Sequence, residues 1–261
     1  MKALSIAATG MLAQQLNVEV ISNNIANMTT TGYKRQRAEF QDLLYQDQRR
    51  VGSASSDTGT IVPSGIQLGL GVKPGAVYRI SEQGNLTMTG NSFDVAISGK
   101  GYFMIEMPSG ETAYTRAGSF QVGPTGDIVT VDGYIVQPGS TIPPDAQSVT
   151  INANGEVFAD IAGQVIQQKV GQFELANFPN EAGLRAIGDN LLLETQASGR
   201  PAVGVPGSRG LGPLKQGALE MSNVNVVTEV TNLITAQRAY EMNSRVIKAA
   251  DEMMSSTSQL R

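Results

Sequence analysis

Residues 226–254, VVTEVTNLITAQRAYEMNSRVIKAADEMM, place Val226, Leu233, Tyr240, Ile247 and Met254 at intervals of seven. A seven-residue apolar repeat keeps one stripe on one side of an α-helix, the pattern of a coiled-coil seam. No Gly or Pro follows Gly217, so nothing interrupts a helix of about 35 residues, roughly 50 Å long at 1.5 Å per residue. Asn223 or Asn225 can cap its start by accepting from the orphan N–H groups of the first turn. A helix of that length needs a partner of similar length to cover its stripe.

The other end of the chain supplies one. Leu4, Met11, Val18 and Ile25 recur every seven residues, with Ala7, Ile21 and Met28 in the companion row and Gln14 breaking it. The pattern ends near Asn27, because Thr29, Thr30, Thr31 and Gly32 are β-branched or helix-breaking. The expected subunit-interface stripes are therefore Leu4, Met11, Val18, Ile21 and Ile25 on one helix and Val226, Leu233, Tyr240, Ile247 and Met254 on the other. The spacing predicts that the two helices pair as a coiled coil.

Between them the sequence reads as β structure. Phe93, Val95 and Ile97 alternate with Asp94, Ala96 and Ser98, the period of a half-buried strand. Residues 101–107 (GYFMIEM) form a second candidate and residues 164–177 a third. Turn chemistry recurs at residues 108–110, 124–126, 132–133 and 154–155, where Gly admits the positive φ that tight turns demand. Residues 52–71 and 198–217, rich in Gly, Ser and Pro, read as connectors. The expected class is α+β: long terminal helices around an inserted antiparallel all-β domain. The expected divisions are 1–45 (N-terminal helix), 46–71 (extended linker), 72–217 (β domain) and 218–261 (C-terminal helix).

Composition closes off much chemistry. The 261 residues include no Cys, His or Trp, which removes thiolate nucleophiles, His-based triads and His- or Cys-ligated metals. No catalytic, cofactor or metal residues are assigned. A net charge of −4 disfavours nucleic acid as partner, and Lys34, Arg35, Arg37, Arg49 and Arg50, interleaved with acids, read as a solvated face. No run approaches the roughly 18 apolar residues of a membrane span, so no direct membrane insertion is expected. The start of the chain does not read as a cleaved secretory signal. A carbohydrate-acting enzyme needs only two carboxylates, and Asp94, Asp127, Asp132, Glu156 and Asp160 are candidates, although three sit at turns. A surface-binding module would want an exposed aromatic patch, and aromatics are 5% of the chain.

Residues 21–34 (ISNNIANMTTTGYK) resemble the N-terminal signature of the flagellar rod and hook axial family. Asn23, Asn24, Ile25, Ala26, Asn27, Thr31 and Gly32 match, with Tyr33 where Phe is commoner. Residues 217–251 resemble the second signature, through GALEMSNVN and then Gln237, Arg238, Ala239 and Tyr240. Residues 93–103 and 114–120 are similar to that family's β domain. The added outer domain usual in hook protein has no counterpart here, so the resemblance is to the rod members. It implies export by the flagellar type III apparatus without a cleaved signal and assembly in the periplasm. It also implies a hollow helical homopolymer with the helices inside, meeting proximal rod proteins, hook protein and the outer ring (bushing) proteins.

Overall fold

The computed structural model describes residues 2–49, 64–162 and 166–259, with the backbone alone for 257–259. Arg50, most of the expected connector 52–71, and Gln164 and Val165 of the third strand candidate lie outside the described residues. The chain divides into two compact units: one formed by Met1–Ala26, Gln36–Tyr78 and Asn225–Arg261, the other by Asn27–Arg35 and Arg79–Val224.

In the first unit, helix α1 (Lys2–Ala26) and helix α2 (Val226–Gln259) pack side by side. After α1 ends, Thr30 N–H donates to Asn27 O at 3.2 Å, closing a turn across the threonine run. At the start of α2, Asn225 caps the helix: its Oδ1 accepts from Thr228 N–H at 3.2 Å and its carbonyl from Glu229 N–H at 3.0 Å. Asn24 meets Glu229, and Gly10 lies against Asn243. Those two levels fix an antiparallel register. Lys2 then stands level with Asp251, and the last turns of α2 run on past the start of α1. Two short antiparallel associations complete the unit: Gln36–Asp42 with Val72–Arg79, and Tyr45–Arg49 with Ile66–Gly69.

Among the described residues, alanines make up half of the side chains buried on the two helices. α1 buries Ala7, Ala13, Val20, Ile21 and Asn24, while α2 buries Glu229, Ala236 and Ala250, which fall at multiples of seven. A Cβ on Gly10 would stand 2.8 Å from Asn243 Nδ2, so glycine permits the approach there.

The second unit is antiparallel β throughout its named pairings. Its main sheet runs Arg185–Gly188, Leu191–Leu193, Thr112–Thr115, Tyr102–Glu106, Ile135–Gln137, Ile128–Val129 and Gln121–Val122. Leu175–Asn177 joins beside Tyr102–Glu106 and pairs in turn with Ala202–Gly204. Ala146–Ile151, Glu156–Ile161 and Gln168–Gln172 form a three-stranded sheet. Val95–Ile97 pairs with Leu214–Gln216, and Leu86–Met88 with Ala218–Glu220. Alternation along Tyr102–Glu106 divides the apolar interior. Phe103 and Ile105 enter the larger core, where Phe103 meets Phe120 edge-on at 5.0 Å. Tyr102 and Met104 enter a smaller core with Tyr114, Phe178 and Leu184.

Two readings of the sequence need correction here. The Phe93–Ile97 alternation does not mark a half-buried strand, because Val95, Ala96 and Ile97 are all buried; alanine is small enough to be enclosed on the other face. Residues 198–217 are not a connector either. They contain two strands and put Leu211 and Leu214 into the core. Their glycines serve local geometry instead: Gly199, Gly207, Gly210 and Gly217 all have positive φ, and Gly212 packs against the Ser98 backbone. The described strand within 164–177 is two strands, Gln168–Gln172 and Leu175–Asn177.

Gly118 is the tightest crossing in this unit. Its carbonyl accepts from Val95 N–H at 2.9 Å, and a Cβ there would fall 1.7 Å from Val95 O. Gly118→Ala must push these segments apart, at a cost of about 1–3 kcal/mol or more. A urea melt of the full chain followed by tyrosine fluorescence should show the lowered midpoint; an unchanged midpoint would contradict this packing.

Candidate functional site

Two polar junctions, one in each unit, and the outer faces of α2 are the features that ordinary core packing leaves unexplained. In the β unit, Glu220 lies on the strand Ala218–Glu220. Its Oε1 accepts from Lys34 Nζ at 2.6 Å and from Gly84 N–H at 2.9 Å, and its Oε2 from Arg116 Nε at 2.6 Å. Lys34, Arg116 and Glu220 are only 8%, 7% and 1% exposed. Lys34 is thus enclosed, not part of a solvated face as its basic neighbourhood suggests. Arg37 and Arg49 are exposed and Arg35 half-buried.

Backbone carbonyls accept further hydrogen bonds from this cluster. Lys34 Nζ donates to Glu82 O at 2.8 Å. Arg116 donates to Ile97 O at 3.3 Å and to the carbonyls of Gly99 and Gly101. Gly32 N–H also donates to Glu220 O at 2.8 Å. Its φ is 68°, and a Cβ would lie 2.7 Å from Ala117 N, so glycine alone fits.

Burial pushes the Lys34 ammonium below its ordinary pKa, against the opposing pull of Glu220. Between that depressed value and the ordinary one the unfolded chain holds more protons. The lysine's contribution to stability therefore rises with pH across that window. Beside the cluster, Tyr102 donates to Glu181 Oε2 at 2.9 Å, and its pKa is raised by burial first and then by that carboxylate. Its contribution runs the other way and falls as pH climbs above the ordinary tyrosine range.

In the helical unit, Asn24 is the hinge of a small network. Its Nδ2 donates to Gln36 O at 2.8 Å and to Glu229 Oε2 at 3.3 Å, and its Oδ1 accepts from Gln36 N–H at 2.8 Å. One side chain thus secures the returning strand to α1 and α1 to α2. Asn24 is 1% and Glu229 4% exposed.

The expected stripe residues divide by exposure. Ile21 is buried; Leu4, Met11, Val18, Ile25, Leu233 and Ile247 are half-buried; Val226, Tyr240 and Met254 are exposed. Within the signatures, Asn27, Gly32 and Ala239 are half-buried, while Asn23, Ala26, Gln237 and Arg238 are exposed. The enclosed row of α2, through Glu229 and Ala236, was not anticipated. Its signal was present as small and polar residues at seven-residue spacing, which a search for large apolar side chains passes over. Further apolar side chains remain open on α2, among them Val227, Ile234, Met242, Val246 and Met253.

The carboxylates weighed for sugar chemistry are occupied locally. Asp94 accepts from Thr89 Oγ1 and Asn91 Nδ2, Asp127 from Thr125 and Thr141, and Asp160 from Ser148. Glu156 accepts from Lys169 and Asn152. Asp132 belongs to the turn that closes with Gly133 N–H on Thr130 O. No cluster able to hold a metal ion occurs among the described residues.

Comparison with known families defines the class. Residues 4–34 match a model described as flagella basal body rod protein, residues 96–159 the D1 domain of flagellar hook protein FlgE/F/G, and residues 215–260 the C-terminal part of flagellar basal body rod FlgEFG protein. Lys34, Arg116 and Glu220 fall one in each matched stretch. The flagellar basal-body rod protein FlgG of Caulobacter vibrioides is 62% identical over the full length of both chains. That of Agrobacterium fabrum is 57% identical, covering 98% of this chain and 97% of its own. That of Bacillus subtilis is 40% identical over 97% of both. The chain belongs to the FlgG family of flagellar basal-body rod proteins, a family of structural components and not enzymes. The carbohydrate-acting reading falls with that finding. No helix among the described residues is long and apolar enough to cross a membrane.

Asn24→Ala removes the bridge of the helical unit and strips Glu229 of a buried donor. A cost of about 1.5–3 kcal/mol is expected, the range for hydrogen bonds to charged groups. Thermal melting of the full chain by far-UV circular dichroism should reveal it as earlier helix loss; coincident melts would contradict the bridging role.

Proposed function

We propose that this chain is a structural subunit of the flagellar distal rod, polymerising with copies of itself into a hollow helical shaft that carries torque from motor to hook. The observation that carries this reading beyond family membership is the incomplete covering of α2. A helix about 51 Å long at 1.5 Å per residue is met by one of 25 residues, and Val227, Ile234, Met242 and Val246 are exposed along it. A row of exposed apolar side chains along one helix is what an interaction surface presents. Burying it against neighbours contributes about 25 cal/mol per Å², and a head-to-tail contact that does not close on itself grows as a helical filament.

In this reading α1 and α2 pair as a coiled coil, and segments 1–45 and 218–261 form the inner core. Segment 46–71 links them to an outward domain of 72–217. The stripes Leu4, Met11, Val18, Ile21, Ile25, Val226, Leu233, Tyr240, Ile247 and Met254 supply subunit contacts. The partners are further copies, proximal rod proteins, hook protein, the outer ring proteins and the type III export apparatus. The location is the periplasmic rod, reached without a cleaved signal.

Electron microscopy of the purified full-length protein at high concentration tests the assembly. Tubes are expected from the native chain and none from an Ile234→Asp, Met242→Asp variant whose melting midpoint is unchanged, since both side chains already face water in the subunit. Tubes from that variant, or none from the native chain, would count against the proposal.

A further inference from the structure

The ion cluster of the β unit has an unusual distribution along the chain. Lys34 and Arg116 come early, and the carboxylate that pairs with both lies at Glu220, near the end of the unit. Its direct ion pairs do not balance, since two cations contact one carboxylate. Without Glu220, an ammonium and a guanidinium would remain in sites less than a tenth exposed, with backbone carbonyl dipoles and the more distant Glu181 carboxylate, already engaged by Tyr102, as their remaining counterweight. Leaving a buried charge without its partner is strongly destabilising. The same residue also accepts from Gly84 N–H, and its carbonyl accepts from Gly32 N–H. Three separate stretches of the unit therefore wait on one late side chain.

We propose that Glu220 is a charge latch that makes the whole β unit conditional on completion of the chain. Until residues 218–224 are delivered, Lys34 and Arg116 oppose closure and the polypeptide stays open. Once Glu220 enters, the unit locks in a single step. The benefit of late closure rests on the proposed role, because a subunit threaded outward must not fold early. The latch itself is a property of the free monomer and stands or falls without any polymer forming.

Hydrogen exchange of the full-length monomer, read at the amides of Tyr102–Glu106 and Thr112–Thr115, tests it. These strands lie in the core sheet and donate nothing to Glu220. Glu220→Gln should lower their protection at least about a hundredfold, the equivalent of losing one partner of a buried ion pair. A second substitution separates charge from shape. Adding Lys34→Met to Glu220→Gln returns the cluster to its native net charge, and should recover at least about tenfold of the lost protection. Two results would overturn the latch. One is protection lost only near Gly32 and Gly84 with the core strands unchanged. The other is a double variant no better protected than Glu220→Gln, which would assign the residue a packing role.

Discussion

In each unit an early segment meets a late one at a buried polar contact. Asn24 reaches Glu229 in the helical unit, and Lys34 reaches Glu220 in the β unit. The apolar interior supplies most of the driving force for folding, but it does not by itself select which early segment finds which late one. A buried carboxylate does, because each wrong partner leaves an uncompensated charge or an unmet donor. Specificity of closure is thus concentrated in a handful of side chains, while the Phe103, Phe120 and Phe173 core supplies bulk stability.

The helix seam bears directly on the proposed assembly. Ala7, Ala13, Ala236 and Ala250 with Gly10 let the backbones approach closely, and among the larger apolar side chains of the helices only a few, such as Val20 and Ile21, are enclosed within the described residues. The others are half-buried or exposed. Small residues thus serve close packing inside one subunit, and the larger apolar ones are available for contacts outside it. The antiparallel register adds to this, since α2 overruns α1 and carries Met253 and Met254 beyond it.

Much of this was legible in the sequence, for reasons that differ by element. Seven-residue spacing exposed both helices, and the Asn225 cap was visible because its chemistry is local. The turns at Gly110, Gly126, Gly133 and Gly155 were legible too, all with positive φ. The signature residue Asn24 was singled out by resemblance, but its contact with Glu229 spans 205 positions, and no local pattern encodes that. Lys34 was misread for the same reason: its neighbours along the chain are charged and polar, whereas its neighbours in space are Glu220 and Arg116. Residues 198–217 misled because glycine and proline mark linkers and tight crossings alike. Their apolar anchors, Leu211 and Leu214, are too sparse to show a period.

The central claim is that α1 and α2 complete their packing only against other copies, whereas the β unit is finished within one chain. Amide exchange compared between free subunit and assembled tube measures this directly. Protection should rise strongly along Val226–Gln259 on assembly and change little across Tyr102–Glu106. Equal protection of α2 in both states would show that the helices are already satisfied in the monomer, and the account would be contradicted.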